Sequence, residues 1–502
     1  MARLFGAGFI YDAFLLGFRI PNLSRDLFAE GALSSAFVPA FTTTLAKKGK
    51  AEAAVLANLV ATAIVVIIGA FCALGMVFAP ALVELLAPGF HHVPGKFELA
   101  VTMTRIMFPF LLLVALAAQA MGVLNACNRF GVPAMSSTFF NIGSVGFGLL
   151  AGFVLGPYLH IDRITGMAIG IVLGGALQLV YQLPSLRRLG FRYRPAFDWS
   201  HTELRQIMQL MGPAIIGSAA VQINVMVNTN FASRIPMNGP VSWLGYAFRF
   251  MQFPLGLFGV AIASATLPSI SRSVAMGHMD EYRRTLSRSL AVVFLLTLPS
   301  SIGLIVLGKS MIGAIYEGGR FSVYDTNQTA AALSCYALGL GGYAALKVIA
   351  PAFYALNDAR TPMLVSIVSI LMNYVAASYM SAWFGFAGLA LSTSATALFG
   401  AIVLFLLLRR RTEGVYGRDL MSSTLRIIAA SAAMGVVVYA CNAWISGHLP
   451  ARRLTYLADL VISVPTGIAV FYAACRALRV SELGLVARAM PLSGRLRRTD
   501  SR

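Results

Sequence analysis

The sequence predicts an all-α protein that crosses a membrane many times, and three observations carry that prediction. Hydrophobic residues fill 58% of its 502 positions, charged residues only 12%, and the mean hydropathy is +0.77. A soluble domain carries about 25% charged residues. The apolar residues also gather in runs of about 20 or more, the length a helix needs to cross a bilayer.

In chain order the runs fall near 10–44, 52–79, 97–126, 133–156, 164–184, 206–233, 241–270, 289–316, 328–356, 362–383, 387–408, 422–446 and 454–478, thirteen in all. Gly, Pro and charged turns separate them. The formal net charge of +20 maps onto alternate connections. One side, with loops near 47–50, 129, 187–194, 272–288, 360 and 409–418 plus the C-terminal tail, holds 24 Lys and Arg against 8 on the other. Lys96 falls in the sparse set, on a connection. The rich side is cytoplasmic by the positive-inside rule, so the excess charge reports topology and no nucleic-acid partner is expected. The basic tail after Val480 is expected on anionic lipid headgroups. An odd number of spans with a cytoplasmic C-terminus puts residue 1 outside without a signal segment, so a further helix is expected ahead of Met1. Five scattered cysteines show no CxxC or Cys/His spacing and predict neither disulfide nor metal site.

A repeat links the two halves. SSAFVP (34–39) and ASATLP (263–268) each lead into a basic loop, and Tyr11–Phe14 precedes the first as Tyr246–Arg249 precedes the second. A duplication of about six helices per half, with kinked helices at matching places, is the usual plan of a secondary transporter. The second half begins near Met211, and the two spans over 422–478 stand outside the duplication.

The stretch Asp12–Pro39 is mostly apolar yet carries Asp12, Arg19, Arg25, Asp26 and Glu30. Charges at membrane depth cost about 2.5–3.5 kcal/mol each, so they face a cavity, a partner or a ligand. Arg249 lies mid-run in SWLGYAFRFMQFP with no carboxylate close in sequence. Arginine forks suit phosphate and diphosphate oxygens, so Arg19, Arg25 and Arg249 are read as a cationic centre for an anionic substrate. Asp12, Asp26 and Glu30 would offset part of that charge. Pairing between helices alone is the competing reading, and it fits Arg19 with Asp26 better than Arg249. Lys347 is a weaker candidate that could equally reach for an interface. No HExxH, GxSxG or Walker A motif is present, so neither an enzyme nor a cofactor is expected. Transport would draw on a monovalent ion gradient, the membrane potential or the substrate's own gradient; one charge moved through 100 mV is worth about 2.3 kcal/mol.

At this point the chain resembles the MurJ/MviN family of lipid II flippases. The resemblance rests on DAFLLGFRIPNLSRDLFAEGALSSAFVPAF (12–41), NRFGVPA (128–134), VYQLPSLRRLG (180–190), MGPAIIG (211–217), VSWLGYAFRFMQFPLGLFGVAIASATLPSISRS (241–273) and LKVIAPAFYALNDARTP (346–362). It implies the multidrug/oligosaccharidyl-lipid/polysaccharide exporter fold: two pseudo-symmetric six-helix lobes plus two C-terminal helices, here without the family's first helix. The lobes would span 1–195 and 196–412, the extra pair 413–480 and the tail 481–502. Alternating access would carry undecaprenyl-diphosphate-linked peptidoglycan precursor, in a monomer of the bacterial inner membrane. The family's essential cavity charges map to Asp12, Arg25, Glu30 and Arg249, and Arg19 stands where the family also places a base. Two departures are Phe248, where the family often has Asp before the arginine, and Asp26, where Arg is common after Arg25. A related exporter of drugs or another lipid-linked glycan, and a membrane scaffold recruiting partners through its tail, are the rival readings.

Overall fold

The computed structural model describes residues 1–25, 33–412, 414, 417–449 and 453–484. Helices α1 to α18 run Ala2–Phe5, Phe9–Arg25, Ser34–Val77, Ala79–Leu86, Lys96–Met107, Phe110–Ala126, Gly131–Leu149, Gly156–Leu159, Arg163–Arg188, Thr202–Arg234, Pro240–Pro254, Ala261–Ala275, Met279–Tyr316, Val323–Leu338, Leu340–Ala355, Arg360–Arg411, Gly417–His448 and Arg453–Ala477. Among the described residues the only β feature is one isolated bridge, Gly318 to Phe321. Nine described helices or helix runs are long and apolar enough to cross a membrane, ten if the pair α14–α15, bent by 42°, forms one span.

The predicted runs reappear with shifted ends, and the lower count has local causes. The runs 362–383 and 387–408 join as α16 across Gly385, a non-helical residue at φ 59°. Gly49, at φ 84°, likewise divides α3 where the basic loop 47–50 was expected. The run near 206–233 falls within the helix α10. The first run is the 17-residue α2, followed by residues outside the described set.

The chain forms two compact units, residues 8–241 and residues 1–7 with 242–502. In the N-terminal unit α10 packs on α3 and α4, so it belongs with the helices before it. The closest pairing there is α7 with α9, and glycine makes it possible. A Cβ on Gly166 would lie 2.2 Å from the Gly152 Cα, and one on Gly170 2.5 Å from the Gly148 Cα. One on Gly174 would meet the Ser144 backbone nitrogen at 2.7 Å. Gly166, Gly170 and Gly174 recur every fourth residue, the small-residue spacing that brings membrane helices into backbone contact.

In the C-terminal unit α13 is the central post. Helices α12, α14, α15, α17 and α18 all pack against it. The Tyr282 hydroxyl on α13 donates to the Ala352 carbonyl of α15 at 3.0 Å, and Leu295 joins Ile427, Ala430 and Cys475 of α17 and α18 in one buried cluster. α3 and α12 each hold a proline inside the helix, Pro39 and Pro268, one in each unit. Large apolar side chains also face outward, Trp383 at 82% and Val461 at 72% exposure, as a lipid-facing surface requires.

The α7–α9 contact gives a direct prediction. Gly170→Leu should destabilise the N-terminal unit by about 1–3 kcal/mol, the range for overpacking. Thermal unfolding in detergent checks this, with the exposed Gly131→Ala as the control that changes little.

Candidate functional site

The residues expected to act together divide between the two units. In the N-terminal unit, α2 presents Asp12, Arg19 and Arg25. Close approach of α2 to α5 is possible because a Cβ at Gly17 would sit 2.6 Å from the Met103 Cβ. Asp12 is fully buried, and its Oδ2 accepts hydrogen bonds from Lys96 Nζ at 2.8 Å and from the Gly239 N–H at 3.0 Å. Lys96 opens α5 directly after Gly95, which holds a left-handed φ of 79°, and its ammonium also stands 4.5 Å from the Phe90 ring centroid.

This pair changes the reading of both residues. Lys96 was placed on a solvent-facing connection by loop charge counting, whereas it is 3% exposed and pinned to a carboxylate. Asp12 meets the chemistry of a helix anchor: one charge-assisted bond, one backbone donor and no exposed surface. The signal for Lys96 was available in principle, since a buried Asp12 needs a cation. Nothing in the local sequence says which one.

Arg19 is half-buried and its Nη1 donates to Thr229 Oγ1 on α10, while the Thr229 hydroxyl donates back to the Val225 carbonyl at 2.6 Å. Arg25 is half-buried and is the last described residue of α2. Asp26 and Glu30 lie outside the described residues.

In the C-terminal unit Arg249 is exposed on α11 while Tyr246, Ala247 and Met251 around it are buried. The helix therefore turns its apolar side into the unit and presents the guanidinium outward. Phe248, where an acid would be common in the family, packs edge-on against Tyr336 at 5.4 Å and offers no charge to Arg249. Lys347 is exposed on α15 between the buried Ala345 and Val348. In the 356–362 turn, Asp358 accepts the Thr361 hydroxyl at 2.7 Å and an ion pair from Arg411 at 2.5 Å. The Thr361 hydrogen bonds, with Arg411 adding to them, hold the Asp358 carboxyl below the usual carboxylate range.

A cavity of about 770 Å³ opens within the N-terminal unit between α3, α6, α9 and residues 191–193. Asn58, Gln119, Arg187, Arg192 and Tyr193 supply its polar lining. None of the described residues predicted from the sequence lines it.

The Asp12–Lys96 pair can be tested as a unit. Lys96→Met should cost about 3–5 kcal/mol by removing a charged partner of a buried carboxylate. Adding Asp12→Asn should recover a large part of that loss. Unfolding of the single and double variants in detergent measures the coupling, and equal losses in both would remove the anchor role.

The family described as "Lipid II flippase MurJ" matches residues 1–454. A "Lipid II flippase MurJ" of Burkholderia cenocepacia is 35% identical over 424 residues, covering 83% of this chain and 80% of that protein. A "Probable lipid II flippase MurJ" of Vibrio cholerae is 32% identical over 485 residues, covering 94% and 90%. The solved structure titled "Lipid II flippase MurJ, inward closed conformation" superposes with a TM-score of 0.77 at 25% identity, covering 95% of each chain. An inward-facing multidrug transporter of the MATE family superposes at 0.66 with 13% identity, a likeness of fold alone. On this evidence the chain belongs to the MurJ family of lipid II flippases.

Proposed function

We propose that the chain is a lipid II flippase. It moves undecaprenyl-diphosphate-linked peptidoglycan precursor from the inner to the outer leaflet of the bacterial inner membrane. The observation that carries this reading is the family match over residues 1–454 together with the structural likeness to a MurJ over 95% of both chains.

The chemistry of the side chains fits an anionic cargo. Arg25 and Arg249 are proposed to take the diphosphate, with Arg19 and Glu30 tuning the charge around it. Arg249 has the exposure that such a role needs, and Lys347 adds a second outward cation in the same unit. Asp12 acts from one step back, holding α2 to Lys96 and Gly239 so that Arg19 and Arg25 keep their register. Planar guanidinium forks bind phosphate oxygens at two points, which a lysine cannot reproduce. In this proposal the protein works as a monomer with a cytoplasmic C-terminus. It alternates access between the two sides, driven by a monovalent ion gradient or the membrane potential.

The test is complementation in cells depleted of their own flippase. Wild type should restore growth. Arg25→Ala and Arg249→Ala should each abolish rescue at unchanged membrane abundance, Arg249→Lys should restore little, and Lys347→Ala should reduce rescue without abolishing it. Rescue by either alanine variant would overturn the site assignment. Failure of the folded wild-type protein would overturn the flippase reading.

A further inference from the structure

Helices α13, α17 and α18 meet around a buried carboxylate that pairs with no cation among the described residues. Asp459 is 1% exposed, six residues from the start of α18. Ser310 and Asn442 each stand six residues from the ends of α13 and α17, so all three share a level about 9 Å inside their helices. Asp459 Oδ2 accepts Ser310 Oγ at 2.5 Å and Asn442 Nδ2 at 2.6 Å, and Oδ1 accepts Ser463 Oγ at 2.7 Å. Ser310 Oγ and Asn442 Nδ2 are themselves 3.4 Å apart.

All three donors are neutral, so they fill lone pairs and leave the charge. The charged groups that these helices carry near this level are engaged elsewhere or face out. Lys309 is exposed. Arg453 Nε donates to the Ala314 carbonyl at 3.0 Å, and His448 bonds to the Trp444 carbonyl. Glu317, beyond the end of α13, accepts Thr326 Oγ1 at 2.9 Å and the Tyr456 hydroxyl at 3.2 Å and makes no contact with Asp459. Among the described residues Asp459 makes no ion pair. An uncompensated carboxylate in an apolar interior costs several kcal/mol.

We propose that this cluster is a binding site for a monovalent cation, with sodium as the ion its ligands suit. A carboxylate, two hydroxyls and an amide oxygen are hard oxygen donors, which select hard cations. One carboxylate plus one monovalent ion sums to zero charge. A divalent ion would leave a positive charge inside the helix cluster and would call for more carboxylates. The switch from hydrogen bonds to coordination needs only side-chain torsions. The two hydroxyls rotate, and the Asn442 amide turns its oxygen inward in place of its nitrogen. The cation thus replaces three inward-pointing protons and ties α18 and α17 to α13. Asp459 and Ser463 lie past residue 454, beyond the segment that the family match covers.

The experiment uses the full chain in lipid nanodiscs, in sodium-free buffer with choline holding ionic strength constant. Radiolabelled sodium should bind saturably to one site, and sodium should raise the unfolding temperature where choline does not. Asp459→Asn should weaken binding by about tenfold or more and remove the thermal shift, while the protein stays monodisperse. Ser463→Ala, which removes one ligand and keeps the charge, should show a smaller loss in the same direction. A wild-type protein indifferent to sodium, or an Asp459→Asn variant with unchanged sodium dependence, would reduce the cluster to a hydrogen-bonded pin. Calcium competing as strongly as sodium would overturn the monovalent assignment. None of these readouts depends on lipid flipping.

Discussion

Charge inside an apolar helix has to be paired, hydrated or bound, and this constraint organises the molecule more than any apolar contact does. The chain has only 19 carboxylates in 502 residues. Those that lie within the helical bundle are held in different ways. Asp12 is closed by Lys96 and a backbone N–H. Asp325 caps α14 through Ser322 and takes the Trp243 indole N–H at 2.9 Å, so it joins two helices of the C-terminal unit. Asp459, like Asp325, accepts from neutral donors, but it is buried more deeply, 1% against 7% exposed, and its donors come from three helices, α13, α17 and α18.

The cations follow the opposite pattern. Arg249 and Lys347 are turned out from helices whose neighbouring residues are buried. Lys96, by contrast, is consumed by structure. A transporter of a diphosphate-linked lipid needs outward-facing guanidinium groups on helices that are otherwise rigidly seated, because a phosphate clamp is only as precise as the helix that carries it. The Asp12–Lys96 pair holds α2 to α5, and the glycine contact of α7 with α9 brings those helices together in the same unit.

Much of this was legible in the chain. Twelve of the thirteen apolar runs correspond to helices or helix segments whose ends lie within a few residues of expectation, apart from a start ten residues early in α13. Run length and turn residues are local properties, and the backbone in lipid has few alternatives to a helix. The charged residues Asp12, Arg19, Arg25 and Arg249 were also legible, since they stand out against an apolar background. Lys96 was misread because loop charge counting averages over positions, whereas burial depends on where one side chain points. The Asp459 cluster escaped notice because Ser310 and Asp459 are 149 residues apart and neither stands in a recognisable motif.

The sequence by itself therefore determined the fold class, the order of spans and the cations available to an anionic cargo, because hydropathy, turn chemistry and formal charge belong to single residues. Only the tertiary structure decided which charges are exposed and which are neutralised. It joined Asp12 to Lys96 and Gly239, Arg19 to Thr229, and Asp459 to Ser310 and Asn442. These are pairings between distant segments, set by helix packing at a few ångströms, and no property of one segment encodes the partner it meets.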